Sequence, residues 1–230
     1  LIRAILLLLG NRILSVEGWH WLDQVPDPFL LAINHSQRLE ALLVPTLLFW
    51  RREGRLIHFL ADWNFLFNPL IAFGYWRGGI IPVTRKPARP RFLNRFQPWL
   101  VENPHGYERA RIYLDKGRSI GIFPEGTTNQ NPTRMLSGHS GAARLSLETG
   151  CPVIPLGIRF PKARERGWVS PWDPLHLSFG PALYPPVFSN PSTPSTPVSA
   201  AQVQRWHEQI MQAVATQAEK SWSPHPVRRK

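Results

Sequence analysis

Two side chains able to move a proton stand close together early in the chain. His35 and Glu40 fall within "NHSQRLEALL", Asn34 to Leu43, directly after the apolar run "FLLAI". A neutral imidazole takes a proton near pH 7, and a carboxylate behind it steadies the imidazolium that results. On one continuous helix, positions five apart lie about 140° from one another and cannot share a face. The pair can meet only if His35 ends a strand or caps a helix while Glu40 projects from the first turns of the helix that follows. Taken alone, the same two residues also read as a capping histidine and a solvated glutamate.

Three further segments carry candidate chemistry at strand edges. "GGIIPVTR", Gly78 to Arg85, leads a strand into Arg85, with Lys86 and Arg89 just beyond; an arginine there can clamp a phosphate through paired charge-assisted bonds. "GIFPEGTT", Gly121 to Thr128, runs an apolar strand into a Pro-Glu-Gly turn. Such a turn projects Glu125 from the sheet end, where it can accept a hydrogen bond from a hydroxyl-bearing substrate. "CPVIPLGI", Cys151 to Ile158, suits the wall of an acyl-chain pocket. Singly, these three also read as a solvated charge, a turn glutamate and core.

Short apolar runs supply the elements that would position these groups: "FLLAI" (29–33), "LIHFL" (56–60), "IIPV" (80–83), "SIGIF" (119–123), "VIPLGI" (153–158) and "LHLSF" (175–179). Each has the length and composition of a strand. "GYERARIYLDKG" and "GHSGAARLSLETG" have helical patterning and end on Gly117 and Gly150, suited to a left-handed helix terminus just before the next strand. Helix, glycine and strand in alternation predict an α/β domain over residues 29–184, with a largely parallel sheet flanked by helices. A Pro/Ser/Thr-rich linker over 185–198 follows. Residues 199–230 then hold a C-terminal amphipathic helix and a basic tail; the helix opens with a capping box, Ser199 to Gln202, and carries Val203, Trp206, Ile210 and Val214 at helical spacing.

Residues 1–28 form an N-terminal apolar segment whose uninterrupted apolar run, Ala4 to Leu9, is far shorter than the roughly 20 residues a membrane span needs. Two readings stay open: an interfacial helix with leucines in lipid, or a helix packed on the core. The chain opens on Leu1, which leaves room for an anchor upstream.

A formal charge of +12 and a pI near 11.0 predict attraction to polyanions, whether nucleic acid, anionic membrane or a phosphate-bearing substrate. Ten tryptophans favour the membrane interface among these. Cys151 is the only cysteine, which excludes an intramolecular disulfide framework and a cysteine zinc cluster, and its apolar setting reads as packing.

The four segments in this order, with "VEGWHWL" ahead of the first, resemble the glycerophospholipid acyltransferase family, which includes the lysophosphatidic acid acyltransferases; the match spans Glu17 to Leu183. The resemblance implies transfer of a fatty acyl group from a thioester, on coenzyme A or acyl carrier protein, to a hydroxyl of a lysophospholipid, with 1-acylglycerol 3-phosphate first. It implies no metal and no cofactor beyond the thioester co-substrate. His35 would be the general base and Glu40 its orienting carboxylate. Arg85 would contact the acceptor phosphate, Glu125, Gly126 and Thr127 would form the acceptor site, and Pro155 would border the acyl pocket. The chemistry agrees, because an attacking alcohol must lose a proton and imidazole is poised to take it. Backbone amides near Ser36 are candidate donors to the oxyanion. The expected partners are a lipid acceptor, an acyl thioester and a membrane surface, bound peripherally or interfacially with the active site on the cytoplasmic side.

Two departures bear on the acceptor. Glu40 stands where the family usually has aspartate, and Thr128 stands where it commonly has arginine; the basic region further on reads "SGHSG", Ser137 to Gly141. A different lysolipid or an amine-bearing lipid is therefore the alternative acceptor. Two rival classes are weaker. "GHSG" lacks the residue between serine and second glycine that a nucleophile elbow needs. A basic lipid- or nucleic-acid-binding module without catalysis would explain the charge but not four ordered strand-end motifs, and no nucleic-acid-binding signature is present.

Overall fold

Leu31 and Ile33 pack into one apolar cluster, and Leu30 and Ala32 into a second. An extended chain sends alternate side chains to opposite faces, so a strand built only of apolar residues is buried on both. Around it the computed structural model describes residues 7–67, 72–73, 76–84, 87–88, 90–100, 106–186 and 198–224.

The sheet contains seven strands: Ile13–Glu17 (β1), Leu30–Ile33 (β2), His58–Asp62 (β3), Ile81–Val83 (β4), Ile120–Ile122 (β5), Val153–Arg159 (β6) and Leu175–Phe179 (β7). They stand in the order β1-β7-β6-β2-β5-β3-β4. Neighbours run parallel except β6 and β7, which are antiparallel. The six strands expected from the apolar runs are therefore present, and the α/β class with a largely parallel sheet holds. Helices cover the sheet: Trp19–Asp23 (α1), Glu40–Arg51 (α2), Gln97–Leu100 (α3), Gly106–Asp115 (α4), Gly141–Thr149 (α5), Pro161–Arg166 (α6) and Ala200–Ala218 (α7). Leu43, Val44 and Leu48 of α2 enter the first cluster, while α4, α5 and α7 contribute to the second. Gly117 (φ +74°) and Gly150 (φ +72°) take the left-handed conformation ahead of β5 and β6.

The sheet starts earlier than residue 29. Ile13–Glu17 pairs in parallel with β7 at the sheet edge. Its "ILSV" is too short for its local pattern to separate a strand from a helix; pairing does. Residues 7–9 are helical, while residues 1–6 of the expected N-terminal helix lie outside the described residues. So do 187–197 of the expected linker and 225–230 of the tail.

Helix α7 has its capping box in place, with the Ser199 hydroxyl accepting from the Gln202 N–H and the Gln202 side chain accepting from Ser199 N–H. Val203, Trp206, Ile210 and Val214 are all buried. Its last turn lies against β6 at Gly157, where a Cβ would fall 2.0 Å from the carbonyl carbon of Gln217. Only glycine admits the helix at that approach. The C-terminal end of α7 is thereby brought down over the end of the central strands. Among the described residues no helix is long and apolar enough to cross a membrane.

Candidate active site

Strand β2 ends at Ile33, and the next residue anchors the chain sideways. Asn34 Nδ2 donates to Ile158 O at 3.0 Å and Asn34 Oδ1 accepts from Ile158 N at 2.6 Å, a two-way bond to β6 in the buried interior. With the backbone so held, His35 leaves the strand end and Glu40 begins α2. The two side chains meet, His35 Nδ1 donating to Glu40 Oε1 at 2.6 Å. Strand end and first helical residue are the arrangement that a spacing of five requires.

Glu40 is fully buried and His35 is not: 17% of the imidazole side chain stays exposed. Glu40 Oε1 also accepts the Ser36 N–H at 2.6 Å. Because the carboxylate accepts a hydrogen bond from Nδ1–H, Nε2 is left as the basic nitrogen. Burial pushes the Glu40 carboxyl above its ordinary value, opposed in turn by the hydrogen bond and charge of His35 and by the amides of Ser36 and Gln37. Its place in the first turn of α2 further favours the anion. The Phe123 ring lies 4.5 Å from the imidazole, centroid to centroid, and limits its tilt.

Glu125 arrives from β5, the neighbour of β2. Its carboxylate turns inward rather than projecting from the sheet end. It is 2% exposed; Oε1 accepts the His35 N–H at 3.1 Å, and Oε2 accepts Asn129 Nδ2 and Leu136 N–H, each at 2.9 Å. Three donors converge on this one buried acid, so the fold draws it in. Asn129 N–H returns to His35 O at 2.7 Å, closing the backbone of His35 from both sides. Gly126, at φ +67°, forms the turn, and with Thr127 it is exposed beside the site.

The remaining expected residues lie elsewhere. Arg85 and Lys86 fall outside the described residues. Pro155 sits mid-strand in β6 opposite Ala32 and is buried, on the face that carries Val153 and Gly157 toward α7. It is part of the core between sheet and helix rather than an open wall. The Ser36 amide, a candidate oxyanion donor, is occupied by Glu40.

Two participants escaped the sequence reading. Asn34 stood in the quoted motif, but nothing local showed that its amide would bridge two strands. Lys220 follows α7, is 6% exposed, and donates from Nζ to Ser36 Oγ and to Asn131 O, each at 2.8 Å. No signal near it in the sequence sets it apart from a solvated lysine. Among the described residues no group of three or more His, Cys, Asp or Glu side chains is placed to hold a metal ion.

A partly exposed base backed by a buried acid, at the carboxyl end of the central strand, can remove a proton from a hydroxyl docked above it. Comparison with known proteins gives the family and the fold. A family model described as acyltransferase matches residues 19–159. No curated protein matches the chain. Among solved structures, it is similar to the 1-acyl-sn-glycerophosphate (LPA) acyltransferase PlsC from Thermotoga maritima, with a TM-score of 0.60 and 17% identity over 96% of this chain and 81% of that one.

Proposed function

The chain belongs to the acyltransferase family, and on that premise we propose that it moves a fatty acyl group from an acyl-CoA or acyl carrier protein thioester to a lysophospholipid hydroxyl. 1-Acylglycerol 3-phosphate is the first candidate acceptor. The observation that carries the reading is the 2.6 Å contact between His35 Nδ1 and buried Glu40.

His35 Nε2 takes the proton of the acceptor hydroxyl as its oxygen attacks the thioester carbonyl. Glu40, already bonded to Nδ1, stabilises the imidazolium so formed. The tetrahedral intermediate collapses by breaking the carbon–sulfur bond, and the departing thiolate takes the proton from Nε2. Ester and free thiol are the products, and His35 is again neutral. No acyl-enzyme is needed, because the thioester is already activated.

Exposed Gly126 and Thr127 beside His35 support an acceptor site at the turn after β5. Arg85 is proposed as the contact to an acceptor phosphate. Thr128, exposed on the same turn, keeps another lysolipid or an amine-bearing lipid as the second choice. Peripheral association with a membrane surface belongs to the same reading. It is supported by the exposed side chains of Leu7, Leu8, Trp76 and Trp99 and by the basic balance of the chain.

The test is a panel of acceptors incubated with purified protein and one radiolabelled acyl-CoA, with His35→Ala as control. Label in diacylated lipid that requires His35 supports the proposal. Turnover of another lipid while lysophosphatidic acid stays inert replaces the acceptor. Transfer by the folded His35→Ala variant at the parental rate overturns the mechanism.

A further inference from the structure

We infer that Lys220 is a positioning residue for the His35–Glu40 pair: a buried cation, delivered by the end of α7, that grips the residue next to the base and balances the carboxylates of Glu40 and Glu125. It rests on the proposed acyl transfer for the role of His35 as base, and its titration arm does not.

Lys220 is held in place from several sides. Its Nζ reaches Ser36 Oγ and Asn131 O, tying the loop after β2 to the loop after β5. Glu219, the residue before it, takes φ +52°, a left-handed conformation uncommon for a residue with a side chain. Ion pairs offset that strain: the Glu219 carboxylate meets Arg159 at 2.8 Å and Arg164 at 3.2 Å. On the other side, Ser221 N–H donates to Thr133 O at 2.8 Å and Met135 N–H donates to Ser221 O at 2.9 Å. The Trp222 indole donates to Leu136 O at 3.0 Å. An otherwise unfavourable turn, fixed by partners on both sides, aims a lysine inward; stored strain of this kind is a pointer to function.

The charge has a use where it lands. Glu40 Oε2 is buried and accepts no hydrogen bond among the described residues. An anion so placed is costly unless a cation lies near it. Lys220 faces Glu125 and Glu40, which pull its proton affinity up against burial, while Arg164 acts with burial to push it down. With the lysine charged and His35 neutral, the buried group carries two negative charges and one positive. Proton transfer to His35 then brings the set to zero net charge, and the lysine's part is to keep Glu40 ionised behind the imidazolium rather than to stabilise that cation itself. Without the lysine, Glu40 takes up a proton at higher pH, and a neutral Glu40 no longer supports the imidazolium.

The experiment compares the parent chain, Lys220→Met and Lys220→Arg in acyl-CoA assays across pH, with the imidazole signals of His35 followed by NMR over the same range. Lys220→Met is expected to move the acid limb of the rate profile up by about one pH unit, the lower end of what a nearby charge does, with roughly tenfold slower turnover on that limb and KM for acyl-CoA unchanged. Lys220→Arg should recover part of the rate and most of the limb. Should Lys220→Met not fold, Lys220→Gln, which keeps polar contacts to Ser36 and Asn131 without charge, carries the same comparison.

A neutral variant with parental turnover and an unmoved limb overturns the inference. So does a rise in KM with turnover intact, which would make Lys220 a substrate contact. If the parent transfers no acyl group to any lipid, the NMR titration still decides. The apparent titration of the pair shifts upward in the neutral variant if Lys220 balances its charge, and stays put if it does not.

Discussion

Glu125 Oε1 accepts the backbone N–H of His35 at 3.1 Å, so the turn after β5 holds in place the base just beyond β2. The acid of "FPEGTT" thus acts on the base through the main chain, one strand away. Its other oxygen takes two further donors, from Asn129 and Leu136. Base and turn are consequently one mechanical unit.

Glu125→Ala should lose both stability and rate. It takes the shared acceptor from the partly buried amides of His35 and Leu136, at up to roughly 1–3 kcal/mol for a donor that water does not reach. Urea unfolding should show the lower midpoint, and the residual rate should fall although His35 is intact. Glu125→Gln should not rescue, because either orientation of the amide sets an N–H against a protein donor.

His35→Ala should cost about 10² to 10⁴ in turnover, the contribution of a general base, with substrate binding largely kept and the protein still folded. Glu40→Gln should also be severe, since an amide cannot stabilise imidazolium as a carboxylate does. Glu40→Asp keeps the anion and should lose less than Glu40→Gln. Steady-state rates on the three purified variants, beside circular dichroism, check the order.

Gly157→Ala places a methyl in the backbone of Gln217 and Ala218. The last turn of α7 must move off the sheet, and overpacking of this kind costs about 1–3 kcal/mol. Because Lys220 follows that turn, acyl transfer should drop as well, although residue 157 touches no substrate in the proposed mechanism. Thermal unfolding and rate measured together test the link.

Acid should weaken the fold near the histidine range. Burial pushes His58 and His207 below the ordinary value of 6.5, even though their rings donate to Gly79 O and Ser137 O. Between the lowered values and 6.5 the unfolded chain binds more protons than the folded one, so stability falls as pH drops through that window and levels below it. Glu40, pushed up by burial, has the opposite sign: across the interval between 4.5 and its raised value the folded chain holds the extra proton. Melting temperatures from about pH 8 to pH 5 should decline. His207→Gln, which keeps a donor toward Ser137, should flatten the decline.

Vesicle binding checks the membrane proposal. Trp76 and Trp99 are 80% and 84% exposed, in a chain of net charge +12. Co-sedimentation with anionic liposomes should be strong at low salt, weaken as salt screens the charge, and fall further in the Trp76→Ala/Trp99→Ala double variant. Recovery in the supernatant at low salt would count against it.

Much of the fold was legible because burial on both faces of a sheet writes itself locally. "FLLAI" and "VIPLGI" are apolar throughout and "SIGIF" nearly so, since no side of those strands meets water, and a glycine closes each helix that precedes β5 and β6. The His35–Glu40 pair was legible for a similar reason: a spacing of five, unworkable on one helix, fits a strand end followed by a helix start. Strand β1 was not, since "ILSV" is compatible with either element and only its partner β7, far along the chain, decides. Nor was the inward turn of Glu125, whose bond to His35 joins residues 90 apart. Lys220 is the extreme case: its bond to Ser36 spans 184 residues, and a lysine after a helix looks solvated until the sheet, Gly157 and the ion pairs of Glu219 bring it under the site. Local pattern records how much of a residue is buried in its own element. Which distant group it is buried against depends on how the elements pack, and only the tertiary structure decides that.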